Sequence, residues 1–291
     1  MNPITNEPDD FARALRQRFG IADCVDLHDL ASKIGLAIRE VAAIGFEGAL
    51  IRASSKPKGV VAVRNSIRES GRKRFTIAHE FGHYILPGHG IISRTCKEQD
   101  IESRSKRVPA HESAANVFAS ELLLPTSRVQ PIVQTQLASI DTASFLMSKF
   151  GTSLTAALLK SSEVTNERCC VVKSKNQIIE WAWPNHSFKH FVSRKERLNP
   201  NSLASKLATN RDTERDSGLV PAEIWVEDTQ LKEGAKIYEE SMLQPHYESV
   251  ITILTIGDPL TDRDREEKDE LLEELDPDEF TVHRRRWPGR K

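Results

Sequence analysis

The sequence is short of the features that mark several protein classes. Only four cysteines stand in its 291 residues, Cys24, Cys96, Cys169 and Cys170, and none forms a C-x-x-C pair. Cys169 and Cys170 are neighbours and cannot easily bridge each other. This usage excludes a disulfide framework and fits reduced thiols. Met1-Asn2-Pro3-Ile4-Thr5 lacks both a basic and an apolar stretch, so no secretory signal is visible. The longest apolar runs, such as Val250 to Ile256, are far too short to span a bilayer. The expected setting is therefore the cytoplasm. Formal net charge is only -1, which excludes a chain built as a whole to coat nucleic acid. No internal repeat is evident.

What is present is a soluble composition with 29% charged and 38% hydrophobic residues, enough for one large or two modest domains. Phe11, Leu15 and Phe19 recur at helical spacing, predicting a helix over Asp9 to Phe19 that Gly20 stops. A second short helix is expected over Val25 to Ile34, then strands over Leu36 to Val41, Gly45 to Arg52 and Val60 to Val63. The stretch from Ala53 to Gly59 has hairpin composition. Arg74 to Leu86 reads as a helix ended by Pro87-Gly88, and Ala110 to Leu123 as another closed by Pro125. Gly90 to Pro109 reads as a polar loop, and Ile140 to Lys160 as two helices parted by Gly151. From Arg168 the texture turns to short alternating stretches, at Cys170 to Val172, Ile178 to Trp183, Ala222 to Val226 and Val250 to Ile256. These predict a β-rich unit after a boundary near Ser161 to Glu167. From Asp258 the chain is charge-dense, acidic and then basic, and reads as a solvated tail.

The chemistry is concentrated in His79-Glu80-Phe81-Gly82-His83. Residues i and i+4 of a helix share a face, so both imidazoles can aim at one ion, as H-E-x-x-H requires. Glu80 is rotated by about 100° from His79. It can serve a water held at the ion without ligating the ion itself, which is the place for a general base. Phe75, Ile77, Ala78, Phe81 and Ile85 make this helix largely buried, where idle histidines and a glutamate would be costly. Gly82 would let another backbone come close.

A catalytic zinc takes three protein ligands and leaves a fourth position open. Two candidates compete for third ligand. His89 has the spacing of H-E-x-x-H-x-x-G-x-x-H, but Leu86 stands where that motif needs glycine. Glu112 opens the next helix, and Ala115 and Ala119 beside it form a small-residue face suited to packing on the His79–His83 helix. A carboxylate aimed into that interface would need a partner, and zinc is the one on offer. Glu112 is the favoured reading. Tyr84, His89 and His111 lie nearby and read as packing or supporting side chains, and no oxyanion donor is assigned.

The run from Arg74 to Leu86, followed by Glu112-Ser113-Ala114-Ala115-Asn116-Val117-Phe118-Ala119-Ser120-Glu121-Leu122-Leu123-Leu124-Pro125, resembles the ImmA/IrrE family of metallo-endopeptidases. The upstream Val25-Asp26-Leu27, Gly35-Leu36 and Phe46-Glu47-Gly48-Ala49-Leu50 are similar to that family's lead-in. The resemblance covers about Phe11 to Lys160. It implies His79, His83 and Glu112 as zinc ligands and Glu80 as the catalytic residue, with Zn2+ as cofactor and Mn2+ as the other candidate ion. It also implies an α+β fold: a minimal zincin-like (gluzincin-like) peptidase domain with the HExxH helix and a small sheet, then a helix-turn-helix-like segment.

The expected domains are 1–165, the peptidase with helix-turn-helix-like helices at about 140–160; 166–258, an α+β and β-rich C-terminal domain whose role is open; and 259–291, the charged tail. Family members cleave helix-turn-helix repressors of the Xre type and so control stress, mobile-element or toxin–antitoxin genes. The partner implied is such a repressor, in a protease acting in stress response and transcription regulation. Ser153 to Lys160 is nearly free of basic and amide side chains, which argues for helix packing over direct DNA reading. The alternative is a non-catalytic zinc-containing module that holds a repressor or toxin without cutting it.

Overall fold

The protein is described from a computed structural model, which covers residues 7–42, 45–52, 58–88, 93–96, 109–210, 213–226 and 234–257. The described residues up to Ile256 form one compact unit, and the predicted charged tail and His89 both lie outside the described residues. Among the described residues the fold is α+β: a small mixed sheet with helices, a helical segment, then a β-rich C-terminal part.

The first helices are set by local chemistry. Helix α1 spans Pro8–Arg18, with proline in the first turn where its missing N–H is not needed. Helix α2 spans Leu27–Ile34; the Asp26 carboxylate accepts from the amides of His28 and Asp29, and Gly35 ends it at a φ of 81°. Strand β1 (Leu36–Val41) pairs parallel with β3 (Gly59–Arg64), which pairs antiparallel with β2 (Gly48–Arg52). The predicted polar loop contains a short strand, β4 (Ser93–Cys96), antiparallel to β2 at the sheet's outer edge. The sheet order is thus β1-β3-β2-β4.

Helix α3 runs Ser70–Ile85, starting within the charged stretch Ser66 to Arg74 that the sequence leaves as loop or helix start, because the Glu69 carboxylate caps it through the amides of Gly71 and Arg72. Helix α4 runs Ala110–Leu123. The two pack closely at a glycine: a Cβ on Gly82 would lie 3.1 Å from Ala115 Cα. Phe81, Phe118, Ala115, Ala119 and Leu122 are fully buried around this crossing.

Helix α5 (Thr126–Gln136) lies in a stretch for which the sequence gives no reading, and Pro131 inside it removes a main-chain donor. Its neighbours hold it, with Val129 and Val133 buried. Its start is fixed by Glu121, which accepts from the Thr126 amide and hydroxyl and from Lys160 Nζ at 3.3 Å. Helices α6 (Ile140–Phe150) and α7 (Leu154–Val164) follow, parted by Gly151 at a φ of 66°. Helix α7 continues through the polar Ser161 and Ser162, both fully buried.

The C-terminal sheet is antiparallel in the order β6-β5-β9-β8-β7, formed by β5 (Arg168–Lys175), β6 (Ile178–Pro184), β7 (Arg215–Pro221), β8 (Lys236–Gln244) and β9 (Ser249–Ile256). Asn176 and Gln177, at φ 51° and 61°, make the two-residue turn between β5 and β6. Ala222 to Val226, expected as a strand, instead begins with a short 3-10 turn at Ala222–Ile224. Its buried Ala222, Trp225 and Val226 belong to the core. Helix α8 (Leu203–Thr209) was likewise unread.

One face of this sheet, with Cys169, Val171, Ile251 and Ile253, packs on α5, α6 and α7. The other, with Cys170, Val172 and Leu254, packs on α8 and on Phe188, Val192 and Trp225. Adjacent residues of β8 serve the two faces. Glu239 accepts from the Ala204 amide at the start of α8 and from Trp225 Nε1, both at 2.7 Å. Glu240 accepts from the Ile140 amide at the start of α6 at 2.9 Å, and pairs with Arg215. Burial pushes the Glu239 carboxyl up, and the hydrogen bonds oppose it.

Candidate metal centre

The α3–α4 crossing brings three predicted ligands to one point. His79 Nε2 and His83 Nε2 lie 3.0 Å apart, and Glu112 Oε2 is 3.1 Å from the first and 3.2 Å from the second. All three residues are buried, at 0%, 1% and 5% exposure. They are also the one group of three or more His, Cys, Asp or Glu among the described residues whose donors converge as metal ligands do.

The donor set can be tested against an ion. His79 Nδ1 stands 2.9 Å from Asn116 Oδ1, an acceptor, so the ring proton belongs on Nδ1. That leaves a lone pair on Nε2, aimed at a carboxylate oxygen. Such an arrangement is repulsive unless something positive sits between. Tetrahedral ligands at about 2.0–2.1 Å from zinc would be roughly 3.3 Å apart. The observed spacings are close to that, and two imidazole nitrogens with one carboxylate oxygen suit a catalytic zinc. Glu112 is ready for the role. Burial works against its charge, but the two imidazoles beside it outweigh this, and its carboxyl lies well below the usual carboxylate range.

Glu80 is fully buried beside the ligands. Its carboxylate rests against the backbone of β2, where a Cβ on Gly48 would come 2.5 Å from Glu80 Oε1 and 2.7 Å from Thr76 Cγ2. The strand is held at that point by its neighbour. Glu47, 1% exposed, is gripped by Arg64 Nη2 at 2.8 Å and Arg72 Nη2 at 3.0 Å. Tyr247, between β8 and β9, donates from its hydroxyl to Glu69 at the start of α3, at 3.3 Å. Burial and the nearby Glu69 charge push its phenol up to about 12.

His79, Glu80, His83 and Glu112 are thus gathered as the sequence placed them. Two contributors, Asn116 and Gly48, are not among the residues the sequence singles out for the site; His111 is, as a packing or supporting side chain. Asn116, four residues after Glu112 on the same helix face, orients His79. Gly48 makes room for Glu80, and His111 stands 3.1 Å from Glu112 Oε1 through its Nε2. The helical spacing from Glu112 was the available signal for Asn116. Tyr84 lies under Arg52, whose guanidinium carbon is 4.8 Å from the ring centre. Helix α7 presents few exposed positions for reading bases; Ala157, Leu158, Lys160, Ser161 and Ser162 are all buried.

A buried pair of histidines one helical turn apart, completed by a glutamate from a second helix, makes a donor set able to hold a metal ion. The comparison with protein families is specific. Residues 31–162 match the IrrE N-terminal-like domain (peptidase M78), which supports the resemblance to the ImmA/IrrE family of metallopeptidases. A solved structure of a Mycobacterium tuberculosis transcriptional regulator is similar over 86% of this chain and 75% of that one, at 14% identity and a TM-score of 0.56, which shows a shared fold. No curated protein matches the chain. Among the described residues, no helix is long and apolar enough to cross a membrane.

Proposed function

We propose that this protein is a zinc-dependent endopeptidase whose substrate is a helix-turn-helix repressor of the Xre type, cleaved to release stress or mobile-element genes. The observation that carries the catalytic part is the meeting of His79, His83 and Glu112 donors within 3.2 Å, with Glu80 buried next to them. The substrate class is supported by the resemblance to repressor-cleaving family members. The fold shared with a protein described as a transcriptional regulator accords with a role in gene control.

Zinc, when bound, polarises the scissile carbonyl and brings the pKa of a water to about 7. The remaining work falls to the chain. Glu80 takes the proton from the attacking water and passes it to the departing amine nitrogen. Gly48 leaves its carboxylate room to do so. Asn116 holds the His79 ring in one tautomer and one orientation. A purely structural site would close with four protein ligands and would have no use for Glu80.

The test is the full chain with zinc and a purified Xre-type repressor, compared with Glu80→Gln. Wild-type protein should cut the repressor. The variant should keep its zinc and lose about 10²-fold or more in rate. Undiminished cleavage by zinc-loaded Glu80→Gln would rule out Glu80 as the base. A stable, uncleaved complex with the wild type would instead favour a sequestering module.

A further inference from the structure

We propose that His111 is a positioning residue that confines Glu112 to a single ligating oxygen. The inference rests on the metal-site reading above. The two carboxylate oxygens of Glu112 have different company. Oε2 faces His79 Nε2 at 3.1 Å and His83 Nε2 at 3.2 Å, while Oε1 faces His111 Nε2 at 3.1 Å. A carboxylate only accepts, so the His111 ring nitrogen donates. Both the neutral Nε2–H tautomer and the cation can do this, so the contact does not depend on a particular charge state.

The restraint matters because a carboxylate can ligate through one oxygen or both. A catalytic zinc keeps one position open, and a second Glu112 oxygen would crowd it. Turning Oε1 toward the ion would break its contact with His111. The His111 side chain is 35% exposed and that of Glu112 7%, so the imidazole lies on the solvent side of the carboxylate. Its ring centre is 6.2 Å from that of His83. The residue is adjacent to its target in sequence, in the first turn of α4, where the helix itself fixes their relative placement.

The experiment uses the full chain loaded with Co2+ and, separately, with Zn2+. Wild type should show the intense visible bands of four-coordinate cobalt. His111→Ala should show weaker, blue-shifted bands as a fifth donor joins, and its Zn2+ affinity, read by chelator competition, should fall about 10-fold. His111→Gln, which restores an N–H donor, should recover both. Thermal unfolding of the metal-free variants should match wild type, which separates positioning from folding. A His111→Ala protein with wild-type cobalt spectrum and zinc affinity would overturn the inference. Wild-type protein that took up neither ion would overturn the reading of the site beneath it.

Discussion

Gly48→Ala should disable proton transfer while leaving the metal ligands untouched. Gly48 pairs in β2 with Val63 and Cys96 and is not among the residues with positive φ, so alanine suits the backbone. The obstacle is steric. The new methyl would lie 2.5 Å from Glu80 Oε1, about 0.9 Å short of the 3.4 Å at which ordinary contact begins. A displacement near 1 Å in a reacting group costs about 10²-fold in rate. Overpacking should also cost about 1–3 kcal/mol of stability. The assay is single-turnover cleavage of the repressor, with bound zinc measured in the same samples. Zinc should stay at the wild-type level, since no ligand is among the atoms nearest to the added methyl. A second change separates the two clashes. Gly48→Ala with Thr76→Ser removes the Thr76 methyl, 2.7 Å away, and should recover stability without recovering activity. Cleavage by Gly48→Ala within a few-fold of wild type would refute the claim that the position of Glu80 limits the reaction.

Asn116→Ala should lower zinc affinity about 10- to 100-fold by chelator competition, because His79 loses the partner that sets its tautomer. Lys160→Met should show what the buried pair with Glu121 contributes: leaving that carboxylate without its ammonium should destabilise by about 3 kcal/mol in denaturant unfolding. Tyr247 should ionise late in a difference titration at phenolate wavelengths against Tyr247→Phe, with a midpoint near 12. Its folded pKa is raised, so its contribution is complete below about 10 and is lost as pH rises from there towards 12.

The site was more legible than the fold around it. His79, His83 and Glu112 could be read because helical spacing converts sequence distance into direction, and Gly82, Ala115 and Ala119 announced the close crossing. Asn116 followed the same rule but is neutral, and nothing about a lone amide marks it before its partner is in place. Gly48 could not be read at all, since what it must avoid is a side chain from another element. In the C-terminal part the strand signal was blurred by buried polar residues. Glu239, Glu240 and Ser241 sit inside β8 where a periodic pattern would show apolar ones. Strand β7 lies at the sheet edge and is mostly exposed, so it carries little alternation. Helix α5 contains Pro131, whose local cost is offset by packing that sequence alone does not display.

The neighbouring acids of β8 make that strand a gauge for the layers on either side of it. Glu239 fixes where α8 begins, and Glu240 fixes where α6 begins. Strand residues alternate between faces, so sliding β8 by one position would carry each carboxylate to the opposite side of the sheet and strand both helix ends at once. An inserted residue upstream in β8 is therefore punished twice, while one in the turn before Ser249 leaves both anchors in phase. The helical layer that borders α3 and the outer layer of the C-terminal sheet are in this sense set by a single count of residues.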